Sequence, residues 1–262
     1  MGIKILTKQG HGYLNCLDTL VSTMGSYWNS DYEYMFRNAW DFKFTKEPSP
    51  NKSILGSRIH ENTETDYSAL EEYHDFNMVF CPKTDLDSFF EIVREELQNN
   101  RPVAVLVDTY WCPWIKYQYQ KRHCHHYCLI TEVDDDNNLY VIESQLATTA
   151  TFLSHANFQK GYDWYILFRK NKPRIAEDFD WRKSILERIQ VISKGGQDGN
   201  IFEQIKMFAK AIPKELKIEN EVLASKEFPF KSLFYRNFFN IGCRLSTKTG
   251  FFPKLVDRLP HL

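Results

Sequence analysis

The chain of 262 residues is short of the features that mark the special classes of protein. Eleven glycines and ten prolines, with no internal repeat, are far too few for a collagen-like or low-complexity sequence. Six cysteines are too sparse for a disulfide scaffold, and without a secretion signal they read as reduced thiols. Neither sign of charge is in excess: 33 basic residues stand against 34 acidic ones. That balance argues against a strongly basic nucleic-acid binder. No apolar run reaches the roughly 18 residues that a membrane span needs. The opening MGIKILTKQG has too short an apolar stretch for a signal peptide. The expectation is a cytoplasmic globular protein with neither nucleic acid nor membrane as a partner.

What the chain does have is apolar residues, at 43%, and aromatics, at 15%, enough for a sizeable core. Leu17, Leu20, Val21, Met24 and Trp28 recur at helical spacing after Asn15, which suits an N-cap. Cys16 then opens the helix, with Asp18 in its first turn. Residues 41–66 read as loop, broken by Pro48, Ser49, Pro50 and Asn51. A second helix is expected from Asp85 to Gln98, on a stripe of Leu86, Phe89, Phe90, Val93 and Leu97. The valine-rich run from Pro102 to Val107 reads as a buried strand. His126–Val133 and Leu139–Glu143 read as a hairpin around Asp134–Asn138, and Tyr162–Arg169 as a further strand. The polar stretch Lys170–Asp180 marks a boundary, beyond which Trp181–Ile192, Ile201–Ile212 and the aromatic stretch Phe228–Cys243 turn helical. Strands grouped after a leading helix favour an α+β fold with an antiparallel sheet. The expected domains are 1–170 and a helical extension, 171–262.

A cysteine at a helix N-terminus has a definite electrostatic consequence. Unpaired N–H groups and the macrodipole stabilise its thiolate. A neighbouring histidine then makes it a working nucleophile. His126, where an apolar strand begins, is the candidate base, in competition with His123 and His125 in the same run. Glu143, at the end of the returning strand, is the candidate to orient the ring. Side chains alternate across a strand, so register decides whether the two meet. A four-residue turn places His126 and Glu143 on one face, whereas a five-residue turn without a bulge separates them.

The stretches PVAVLVDTYWCPW, HCHHYCLITEVD and NLYVIES, together with Cys16 opening a helix, resemble the butirosin biosynthesis protein H family among the papain-like cysteine enzymes. The resemblance covers roughly residues 11–170. It implies a papain-like fold and an acyl transfer in specialised metabolism such as antibiotic biosynthesis on a nonribosomal peptide or polyketide pathway. The acyl group comes from the phosphopantetheine thioester of an acyl or peptidyl carrier protein and goes to a small-molecule amine. The chain itself then needs no bound cofactor, because the phosphopantetheine belongs to the partner. The family's nucleophile, base and acidic orienter fall on Cys16, His126 and Glu143. The backbone N–H of Cys16 is the natural first oxyanion donor. Gln9, His11 and Asn15 are candidates for the second, and Tyr110 and Trp111 for lining an acyl or pantetheine channel, with core packing as the alternative.

Rival readings use the same residues. A thioesterase or an amidase/peptidase would form the same acyl-enzyme, and a non-catalytic binding protein would keep the fold alone. His123, Cys124, His125, His126, Cys128 and Cys112 invite a zinc reading, but they lack paired CxxC or H-x₃-H spacing, and no metal is expected. Asp134–Asp136 lack the glycine and the twelfth-position glutamate of a calcium loop. The basic run Lys170, Lys172, Arg174, Arg182 and Lys183 suits either an acidic carrier protein or plain solvent. The aromatic tail that includes Phe228, Phe230, Phe234, Tyr235, Phe238 and Phe239 suits a core, a lid or a homodimer surface.

Overall fold

The computed structural model describes residues 2–3, 15–37, 42–45, 55–60, 65–143, 150–175, 180–195 and 199–225. In chain order its helices are α1 (Cys16–Trp28), α2 (Ser68–Tyr73), α3 (Leu86–Gln98), α4 (His155–Gly161), α5 (Trp181–Lys194), α6 (Ile201–Glu215) and α7 (Ile218–Ser225). The strands are β1 (Lys43–Phe44), β2 (Ile59–His60), β3 (Phe76–Cys81), β4 (Val103–Asp108), β5 (His125–Val133), β6 (Leu139–Ile142), β7 (Thr151–Leu153) and β8 (Tyr162–Lys170). Six of these strands form one antiparallel sheet in the order β3-β8-β4-β5-β6-β7, and the class is α+β. Among the described residues no helix is long and apolar enough to cross a membrane.

The chain divides into two units, residues 1–32 with 67–176 and residues 33–66 with 177–262. The cut therefore differs from a single boundary at 170, because the segment read as loop groups with the C-terminal helices. The reason is apolar. Phe42, Phe44, Leu55 and Ile59 are buried with Phe208 and Ala211 of α6. The rings of Phe42 and Phe44 lie 5.7 and 5.4 Å from that of Phe208. Gln204 Oε1 accepts the Phe44 N–H at 2.8 Å, so the short β1–β2 pair is tied to α6 by a buried polar contact as well.

In the first unit, α1 covers one face of the sheet and α3 with α4 the other. Trp28 meets Phe76 and Phe168 edge-on at 5.9 and 6.4 Å on the α1 side. On the opposite side Phe89 packs against Phe158, Tyr162 and Tyr165 with ring centroids 4.6 to 5.4 Å apart. A fully buried side chain of this size contributes about 1.5–3 kcal/mol, so these rings are a principal source of cohesion. Sequence reading passed over β3, β7 and α4. Edge strand β3 alternates poorly, because Val79 and Phe80 are both exposed. The signal available for it was the cluster Phe76, Met78, Val79 and Phe80 ahead of Pro82.

The N-terminus of α1 is strongly specified. Asn15 Oδ1 accepts the Asp18 N–H at 2.8 Å, as an N-cap does. Asp18 is buried, and its carboxylate receives the Tyr67 hydroxyl at 2.8 Å. The hydroxyls of Thr19, Ser22 and Thr23 bond back to carbonyls within the helix, which allows polar residues on a buried face. At the other end Asn29 takes the left-handed conformation (φ 52°). A side chain on Gly25 would there run into Tyr32 at 2.7 Å.

Candidate active site

Cys16 occupies the first position of α1, half-buried, at the place where backbone N–H groups have no helical acceptor. His126 is the second residue of β5, and Glu143 follows the last residue of β6. The structure brings these three together. His126 Nε2 lies 2.5 Å from Glu143 Oε1, with Glu143 fully buried. Nε2 being engaged, Nδ1 is left for the thiol, and a side-chain hydrogen bond joins Cys16 to His126. The carboxylate only accepts, so it fixes the ring tautomer and favours a positive imidazole.

The hairpin achieves this in a way that alternation alone does not. Five residues, 134–138, separate the paired ends Val133 and Leu139, the turn length that would put the two side chains on opposite faces. The register then shifts between Ile130 and Glu132, where Thr131 is the extra residue of a bulge. Beyond it Leu129 pairs with Ile142, so Glu143 falls across from Cys128, on the face of His126. The turn is held by Asp134, whose Oδ1 accepts the N–H groups of Asp136 and Asn138 at 3.0 and 2.8 Å. Asn137 takes the positive φ of 62°.

Electrostatics separate Cys16 from the other described cysteines. Burial works against a charge on its sulfur, but the hydrogen bond and charge of His126, with the N–H groups of Tyr127 and Leu17, outweigh it and lower the thiol pKa. Burial likewise opposes a charge on His126, yet its bonds to Cys16 and Glu143 raise the imidazole to about 9. Both shifts run toward a thiolate–imidazolium pair: the thiol becomes more acidic and the imidazole more basic. By contrast burial pushes Cys112 up to about 12, with Asp108 and Glu143 adding to it, and raises Cys81, Cys124 and Cys128 as well.

The other expected residues are more dispersed. Gln9 and His11 lie outside the described residues, as does the aromatic tail beyond 225. The side-chain oxygen of Asn15 is taken up by capping. Tyr110 and Trp111 form a single 3₁₀ turn after β4. Trp111 packs so closely on Gly161 that a Cβ there would meet it at 2.9 Å, and Lys160 sits over its ring at 4.7 Å. Tyr110 stacks on His123 at 4.3 Å. His123 is thus not the partner of Cys16. Its Nδ1 lies 2.5 Å from Asp108 Oδ2, a second His–carboxylate pair at the same end of the sheet. Asp108 escaped the sequence reading, and its only signal was a carboxylate ending an apolar strand. His125 is exposed.

Among the described residues no group of three or more His, Cys, Asp or Glu side chains is placed to hold a metal ion. Of the basic run, Lys170 is bonded to Asp75 and Ser30, and Arg174 to Glu71. Compared with known proteins, the chain matches no family model and no curated protein.

Proposed function

We propose that the chain is a papain-like cysteine acyltransferase. It takes an acyl group from the phosphopantetheine thioester of a carrier protein and delivers it to an amine through an acyl-Cys16 intermediate. The observation that carries this reading is the Cys16 thiol at a helix start, bonded to an imidazole whose far nitrogen is held by the buried Glu143. Such an array suits a thioester well, because a thiol made more acidic by its imidazole neighbour gives up its proton readily to become the nucleophile.

Cys16 Sγ attacks the thioester carbonyl, and the Cys16 N–H, at the start of the helix, is the first donor to the oxyanion. The intermediate collapses by expelling the pantetheine sulfur, which takes the proton from His126. This exchange of one thioester for another is close to isoenergetic. The amine then attacks acyl-Cys16, and amide formation drives the second half forward. Hydrolysis differs only in the second nucleophile, and an acceptor site that excludes water decides between them.

Intact-mass spectrometry after incubation with acetyl-pantetheine tests the proposal. The expected result is one acetyl adduct on the native chain and none on Cys16→Ala, with the adduct passing to added amines faster than to water. A native chain that takes up no acetyl group, with Cys16 no more reactive than the other thiols, refutes it.

A further inference from the structure

Proton bookkeeping in the acyl transfer just proposed, on which this inference rests, leaves a role for a second base. At rest Cys16 and His126 share one mobile proton, which the shifts of both groups draw toward the ring. That proton leaves with the pantetheine thiol, so the acyl-enzyme stage begins with His126 neutral. The acceptor, however, arrives as an ammonium ion: for an aliphatic amine of pKa about 10.4, about one molecule in 2500 is neutral at neutral pH. An ammonium has no lone pair and must lose a proton before it attacks. After attack the N–C bond is formed and the nitrogen must lose another as the C–S bond to Cys16 breaks. His126 can hold only one of the two, and it must end protonated to restore the resting pair. The other proton is lost either to bulk water before the amine enters or to a second group at the site.

We propose that His123, oriented by Asp108, is the base that takes this first proton from the incoming ammonium and passes it to solvent. Three features of the geometry support the assignment. Nδ1 of His123 is committed to the Asp108 carboxylate at 2.5 Å, so it carries the hydrogen and the basic lone pair sits on Nε2. The ring is 70% exposed, whereas His126 is 12% exposed, so His123 exchanges protons with water while His126 is shielded. Its orientation is set twice over, by Asp108 and by the Tyr110 ring stacked on it at 4.3 Å and 7°.

Position supports the same role. Asp108 ends β4 beside the start of β5, where Val107 pairs with His126 and Asp108 with His125. Asp108 Oδ1 accepts the N–H groups of Tyr110 and Cys124 at 3.1 and 3.2 Å, which anchors the carboxylate irrespective of His123. Burial, then the charges of Cys16 and Asp108, raise the Cys124 thiol, so both negative groups lie within electrostatic reach of this residue. The pair Asp108–His123 therefore stands at the end of the sheet that also carries His126, and His123 is the more exposed of the two rings.

The overall balance closes. An ammonium and an acyl thioester give an amide, a free pantetheine thiol and one proton, and that proton departs through His123 Nε2. Cys16 and His126 return to their resting state with one shared proton.

The test uses acetyl-Cys16 enzyme preformed with acetyl-pantetheine and freed of excess reagent, in native and His123→Ala forms at neutral pH and low buffer. Two nucleophiles are compared: propylamine, which is an ammonium there, and hydroxylamine, which is already neutral. His123→Ala is expected to slow transfer to propylamine by about 100-fold, the lower range for a general base, with hydroxylamine far less affected. Added imidazole is expected to restore much of the propylamine rate. An unchanged propylamine rate overturns the proposal, and so does an equal loss with both nucleophiles, which would mark a structural role. Failure of the native chain to form acetyl-enzyme at all refutes the acyl-transfer reading itself, and this proposal with it.

Discussion

Replacing Glu143 with glutamine removes one negative charge from a fully buried position, while the amide keeps the size and can still accept from His126 Nε2. The consequence follows from the 2.5 Å contact. An opposite charge this close shifts a partner's pKa by about 1–3 units. The His126 imidazole, held at about 9 in the native chain, should fall by that amount. Each unit is about 1.4 kcal/mol, so the thiolate–imidazolium pair loses about 1.4–4 kcal/mol relative to the neutral thiol and imidazole. The thiolate fraction is measured from ultraviolet absorbance across the pH range, as the difference between each protein and its Cys16→Ala counterpart. Iodoacetamide alkylation of Cys16 reads the same quantity independently. In Glu143→Gln alkylation at mildly acidic pH should fall about tenfold or more, with an unchanged melting transition as the control for folding. Superimposable absorbance and alkylation profiles for the two proteins would refute the argument that Glu143 sustains the pair.

The same pair sets a pH limit on catalysis. His126 must be protonated to release the pantetheine thiol, so acylation by acetyl-pantetheine should decline as pH rises through about 9, and this limb should move to lower pH in Glu143→Gln. Away from the site, Glu96 is buried between Arg101 and Arg169, with Oε2 at 2.8 and 2.6 Å from their nitrogens. Burial opposes its charge, but the two guanidinium groups outweigh that and hold its pKa below the ordinary 4.5. A depressed carboxylate stabilises the fold above its unfolded value and loses that contribution as pH falls through the folded one. Glu96→Gln should therefore cost about 3 kcal/mol near neutral pH, the low end for breaking a buried pair because the arginines are partly exposed. Chemical denaturation should show the deficit shrinking below pH 4.5; a constant deficit at all pH values would refute the electrostatic account.

Local chemistry was legible in the sequence, and long-range pairing was not. The Asn15 cap, the helical stripe of α1 and the valine run of β4 each carry their signal within a few residues, and Cys16 is where that signal placed it. The hairpin was legible as a hairpin, but its register was not, because the bulge at Thr131 depends on how β5 meets β6. Edge strand β3 pairs with β8, about ninety residues further on, and its own side chains are half-exposed. Likewise Phe42, Phe44, Leu55 and Ile59 show no periodicity of their own. They become a core only against α6, far along the chain. Asp108 and His123 meet because a stacked ring and a loop bring them together, and no spacing rule anticipates that contact.

The β5–β6 hairpin has a consequence for how such a chain can change over evolutionary time. Its turn is one residue longer than face-matching allows, and the extra residue at Thr131 absorbs the mismatch. The two irregularities cancel, so neither is neutral by itself. A single deletion in the turn would swing Glu143 away from His126, and a single deletion at Thr131 would do the same from the other side. Both deletions together would restore the alignment in a shorter, regular hairpin. Insertions and deletions here should thus travel in compensating pairs, and a lone one is the mark of a lineage that has given up the carboxylate or found another place from which to supply it.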